Sequence, residues 1–201
     1  MLSPKEFNSF NGMADRLQDL VSDLEQKIAD RTRDIQRQAV RLRVASEISR
    51  DSATATELSE LLNRSATLIR ERFGYYHSGI FLLDDNREYA VLSAASSEAG
   101  RLMLETRYKL RVGEGLAGLV AQTGESRLAY DTDSDAIQFK NPMLPATRSE
   151  LGLPLKVFNR VIGVLDVQSD QHNAFTEDDI ATLQIMADQL AVAIERTRVY
   201  Q

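Results

Sequence analysis

The sequence has no cysteine and no tryptophan, and only two histidines and four prolines among its 201 residues. Without cysteine there is no disulfide, no thiolate zinc site and no thiol nucleophile. His77 opens an apolar run and His172 sits in the polar turn DQHNAF. Nothing in the sequence pairs either with a nucleophile, so each reads as a surface or strand-end residue rather than a ligand. No apolar run approaches the ~20 residues that a membrane span needs. The first residues, MLSPKEFNSF, lack the apolar centre of a secretion signal. A net charge of −6 gives no global basic signal, so nucleic acid is not an expected partner.

What the sequence does have, first, is a long heptad pattern. Ser3, Pro4 and Glu6 form a helix-start signature. From there to about residue 50 no further proline intervenes. Phe10, Leu17 and Leu24 recur every seven residues, and Val21, Ile28, Ile35 and Leu42 occupy the complementary positions; Arg31 and Gln38 interrupt the stripe. Two apolar positions in seven make a coiled-coil seam rather than a wide globular face. A helix of this length, roughly 70 Å at ~1.5 Å per residue, leaves its seam exposed unless a partner covers it. The simplest partner is a second copy, in a parallel homodimer.

The remainder reads as α+β. Thr54 and Glu57 restart helix, with Arg70 and Arg72 in its last turn and Gly74 at its stop. HSGIFLLDDNREYAVLSAAS and SELGLPLKVFNRVIGVLDVQS each read as a hairpin, turning at Asp85-Asn86 and at Asn159-Arg160. Val161 to Val167 is apolar on both sides and so predicts a strand covered on both faces. A strand-like YKLRV, a small helix and a short strand in SRLAY lie between the hairpins. The terminal helix is capped at Thr176 and buries Ile180, Leu183, Ala187, Leu190, Ala191 and Ile194. Strands in hairpins with helices at the ends exclude a repeated βαβ architecture.

Gly113, Gly115 and Gly118 spell G-x-G-x-x-G, the spacing of a dinucleotide-binding turn. The context disagrees. YKLRV alternates apolar with charged, no second βαβ half follows, and no Lys-Ser or Lys-Thr pair follows Gly118. The glycines instead predict a turn and close packing of the small helix. Asp131, Asp133 and Asp135 are spaced like the start of a calcium loop, but Ala136 and Pro142 stand where that loop needs glycine and glutamate.

GEGLAGLVAQTGESRLAYD, RSELGLPLKVFNRVIGVLDVQS and FTEDDIATLQIMADQLAVAIE, in that order, resemble a GAF domain spanning residues 44–201. The resemblance implies a six-stranded antiparallel sheet flanked by helices, with a ligand pocket under the small helix and the loops. EFNSFNGMADRLQDLVSDLEQ resembles the last helix of a HAMP relay module, and LEQKIADRTRDI the signalling coiled coil of bacterial sensor histidine kinases, which places residues 1–43 in a separate segment. It implies a cytoplasmic part of a membrane-anchored receptor, with a transmembrane sensor upstream and an output module downstream. Bilin-binding and methionine-sulfoxide-reducing members use cysteines, which are absent. The signature of cyclic-nucleotide-binding members is also missing, and haem is disfavoured. No cofactor is expected, and an unknown small molecule remains the candidate ligand. Phe81, Leu116, Tyr130, Phe139, Met143, Ser149, Leu151 and Asp166 are the candidate pocket residues, with Asp166 as a polar anchor if it is buried.

No nucleophile, base and oxyanion donor converge, so the chain is expected not to be an enzyme, with any kinase or cyclase activity in an output domain. The expectation is a sensory module of a two-component signal-transduction protein, or alternatively a ligand-free dimerisation spacer. A Leu24→Asp, Ile28→Asp double substitution is expected to convert the dimer to monomer in sedimentation while the sheet domain stays folded. A tight dimer from that variant overturns the coiled-coil assignment.

Overall fold

A computed structural model describes residues 58–130 and 141–199, together with Leu24, Gln26, Lys27, Arg31 and Thr32. The chain divides into two units, Met1–Arg43 and Val44–Gln201. In the first, the described residues are helical and Leu24 is exposed. The other seam positions, Phe10, Leu17, Val21, Ile28, Ile35 and Leu42, lie outside the described residues, as does Phe139.

The second unit begins with helix α1, Leu58–Phe73. Its leucines and isoleucine at 61, 62 and 69 fall on one buried face, and Gly74 closes it by donating its N–H to the Arg70 carbonyl. Strands β1 (His77–Leu83) and β2 (Tyr89–Ala95) follow as an antiparallel hairpin. The Asp84 carboxylate ties its turn, accepting from the Glu88 and Tyr89 N–H groups. Helix α2 (Glu98–Glu105) was not anticipated from the sequence. Ser97 caps it by accepting from the Gly100 N–H, and it is pinned by one large buried side chain, Met103. Then come β3 (Lys109–Arg111), helix α3 (Gly115–Thr123) and β4 (Arg127–Ala129). The long hairpin of β5 (Ser149–Val157) and β6 (Arg160–Ser169) precedes helix α4 (Glu177–Val199). Thr176 and Asp179 cap α4 reciprocally, each side chain accepting from the other's backbone N–H.

The sheet has six strands in the order β3-β2-β1-β6-β5-β4, every neighbouring pair antiparallel. The alternation of its two central strands decides everything above and below it. On β5 and β6, Leu151, Leu153, Leu155, Leu165 and Val167 join Ile80 and Leu82 of β1 in a core shared with Leu61, Leu62 and Ile69 of α1 and Leu183, Met186 and Leu190 of α4. On the other face, Phe81, Leu92 and Val164 pack with Met103 of α2 and Leu116 and Val120 of α3. The domain is therefore three layers, α/β/α, with β6 covered on both sides as its largely apolar run requires.

One detail differs from the sequence reading. The second hairpin turns at Phe158-Asn159, one residue earlier than expected, and places fully exposed Phe158 in the left-handed region at φ 55°. The glycine motif makes the turn and the close packing that the sequence predicts. Gly113 and Gly115 take positive φ in the turn before α3, and the Gly113 N–H is bound by the Gly118 carbonyl. Gly118 itself sits against the Arg111 carbonyl oxygen, with no room for a Cβ. Gly118→Ala is expected to destabilise the domain by about 2 kcal/mol, because the obstacle is backbone and not a movable side chain. That lowers the thermal midpoint by roughly 4–8 °C in a melting experiment.

Candidate functional site

The face of the sheet under α2 and α3 is where polar groups enter the interior. Because Leu151, Leu153 and Leu155 point to the α1/α4 side, Glu150 and Gly152 must point to the other. Asp166 and Gln168 likewise alternate with Leu165 and Val167. The antiparallel register then sets these residues in rows. His77, Gln168 and Glu150 are neighbours across β1, β6 and β5, and in the adjoining row Asp166 is flanked by Gly79 and Gly152. A β-carbon on Gly152 would strike Leu116 and Val120, so α3 lies directly on the sheet there. Asp166 is thus at the floor of the layer, 2 % exposed.

The hydrogen bonding of this cluster is incomplete. The Thr147 hydroxyl and Gln168 Oε1 are 2.6 Å apart, and Gln168 Nε2 donates to Asp166 Oδ2 at 2.6 Å. Asp166 Oδ1 is buried and has no partner. No basic side chain among the described residues neutralises either carboxyl. Burial, together with the charge of Asp166, holds the Glu150 carboxyl well above the ordinary carboxylate range. Burial likewise pushes Asp166 upward, against the opposing effect of its bonds to Gln168 and Glu150. Tyr108, edge-on to Phe81 with ring centres 6.4 Å apart, has its phenol pushed up to about 12 by burial and then by the charges of Asp166 and Glu150.

Of the two expectations for His77, surface or strand end, the structure shows the second: it is the first residue of β1. It is buried, its Nδ1 lies 2.7 Å from the Ser97 hydroxyl, and burial plus the charge of Arg70 lowers its pKa to about 4. Its ring is neutral near pH 7.

The candidate pocket residues divide between the two faces. Phe81, Leu116, Met143 and Asp166 come together on the α2/α3 side. Met143 is placed by the loop in which the Asn141 side chain bonds the Met143 N–H and reaches the Met103 sulfur. Leu151 lies in the opposite core, and Ser149, on the same strand face, donates to the Gln171 carbonyl. Tyr130 is exposed. Glu150 was missed, although its alternation with three leucines marked its facing and a lone acid in the run VIGVLDVQ marked its neighbour.

In the unfolded chain both carboxyls return to ordinary values. Their raised values in the fold mean that the native state holds protons more tightly. This stabilisation is complete below the unfolded value near 4 and is lost as pH rises through the folded values. Asp166→Asn is therefore expected to raise the thermal midpoint at pH 8 by several degrees, with the difference vanishing toward pH 4. His77 titrates in the opposite sense in both proteins and cancels from the comparison. A midpoint at pH 8 that falls with this substitution overturns the reading of the pair.

Comparison with known proteins agrees with this architecture. The family model described as "GAF domain" matches residues 55–195. Free methionine-R-sulfoxide reductase of Escherichia coli (strain K12) is 29% identical over 142 residues, covering 70% of this chain and 79% of the enzyme. The structure of the Neisseria meningitidis free methionine-R-sulfoxide reductase in complex with its substrate superposes with a TM-score of 0.71 and 25% identity, covering 81% of this chain and 93% of that one. A methyl-accepting chemotaxis protein segment shares the fold with a TM-score of 0.66 at 19% identity, covering 77% of this chain and 98% of that one. The expectation that the chain carries no enzymatic activity is corrected by these findings, because its relatives at 25–29% identity include an enzyme. With the family model spanning most of the sequence and the six-stranded, two-faced sheet matching solved members, the chain belongs to the GAF domain family.

Proposed function

We propose that this chain is a sensory and regulatory GAF module whose ligand is a small molecule bearing a primary ammonium, seated against Glu150 and Asp166. The observation that carries this reading is the unpartnered, buried Asp166 Oδ1 beside a second carboxyl with no resident cation. Buried charge persists only when something pairs it, and an ammonium supplies both the charge and the missing N–H donors. The apolar remainder of the ligand would rest on Phe81, Leu116 and Met143.

Transmission follows from the two-faced sheet. Asp166 and Gln168 touch the ligand side while Leu165 and Val167, the residues between and before them, pack in the core shared with α1 and α4. A ligand that prefers one setting of β6 thereby biases the helices on the far side. In this proposal the helices join a parallel homodimer through the heptad seam, downstream of a HAMP-type relay and upstream of an output module.

A second reading is favoured by the likeness to the sulfoxide reductases. With no cysteine in the chain, reduction of free methionine-R-sulfoxide would draw its two electrons from an external dithiol, yielding the thioether, the disulfide and water. Methionine formation with dithiothreitol, above the rate without protein, would establish it.

The first reading is tested by thermal shift and calorimetry with free amino acids, including methionine and methionine sulfoxide, against choline as an ammonium without N–H groups. Primary amines are expected to raise the midpoint by several degrees, choline to leave it unmoved, and Asp166→Asn to lose at least tenfold in affinity. No response to any primary amine at millimolar concentration overturns it.

A further inference from the structure

Resting on the amine-binding reading, we infer that the Glu150–Asp166 site exchanges a proton for its ligand, so that occupancy reports acidity as well as ligand concentration. The argument is one of charge balance at a fixed place. Two carboxyls share one face of adjacent strands, in neighbouring rows, beneath α3. Asp166 Oδ2 accepts from the neutral amide of Gln168, Glu150 bonds Asp166 only when one of the two carboxyls carries a proton, and no other donor reaches Oδ1. Asp166 is buried and Glu150 half-buried, so two ionised carboxylates in these positions repel with less screening than in water. The empty site therefore keeps a proton between them, as their raised values also indicate. A metal ion is no substitute, because among the described residues no three acidic or imidazole groups converge to hold one.

Among the described residues no other group facing the pair compensates the charge; Arg127 of β4, in the row of Gly152 and Asp166, pairs its guanidinium with Glu125. From β1 comes His77, neutral above about 4, and before β3 comes Tyr108, neutral until about 12. Leu92 of β2 and Leu116 and Val120 of α3 are apolar. Glu98, Arg101 and Glu105 of α2 pair with one another on its exposed side, and Lys109 of β3 lies over the Tyr89 ring. Arg148 precedes Glu150 by two residues; its backbone N–H binds the Ser169 carbonyl, and the residue has a further partner. When an ammonium arrives, its positive charge and N–H donors take over the role of the shared proton. That proton leaves to solvent, and the site keeps the same net charge.

Calorimetry of the full chain with L-methionine sulfoxide, in phosphate and in an amine buffer (bis-Tris at pH 6, Tris at pH 8), reads the exchange directly, because the two buffer types differ in heat of protonation. Close to one proton released per ligand is expected at pH 6 and much less at pH 8. The dissociation constant should tighten by up to tenfold per pH unit until the pair is ionised. Asp166→Asn should release none. Binding with equal heats in both buffers at both pH values overturns the exchange while leaving the amine site standing, whereas absence of binding by every primary amine overturns both. Carbon-13 carboxyl NMR of the ligand-free chain and of Glu150→Gln provides a check independent of any ligand. It should show a carboxyl retaining its proton above pH 6 in the native chain and losing that anomaly in the variant; ordinary titration of both groups near pH 4 overturns the inference.

Discussion

The strand pair β5–β6 constrains everything else in this domain. Both of its faces are covered, so each residue must suit either the core under α1 and α4 or the layer under α2 and α3. A slip of one residue in that pairing would drive Glu150 and Asp166 into the leucines and bring the leucines under α3. Register and polarity are therefore the same fact. The acids are held in place by the cost of putting them anywhere else.

This explains why the ligand side tolerates incomplete hydrogen bonding. The core of leucines, isoleucines and the methionine of α4 has enough apolar area to carry a few destabilising groups on the far side of the sheet. An unpartnered carboxylate oxygen is such a group, and it is concentrated where a ligand can relieve it. The same logic places glycine at 79 and 152, where any side chain would crowd the floor around Asp166.

Much of the fold was legible in the sequence because its signals are local. Thr176 with Asp179, Gly74 after Arg72, and the apolar run of β6 each announce an element by chemistry confined to a few residues. Helix α2 escaped because SSEAGRLMLE is short and has only Met103 as a fully buried large side chain, too little for a periodicity to show. The candidate site was legible in part. Asp166 stood out as an acid within an apolar strand, but its partner Glu150 is defined by cross-strand register, which no single stretch of sequence contains. His77 was legible as the start of a strand, but not its burial: α2 begins directly above it, at Ser97.

The turn at Phe158 has an implication of its own. A phenylalanine there gains no burial and holds a backbone shape that glycine adopts without strain. Folding thermodynamics alone gives no reason for an aromatic ring at the tip of the longest hairpin. The ring at this tip can be removed at no cost to the packing of the domain beneath it.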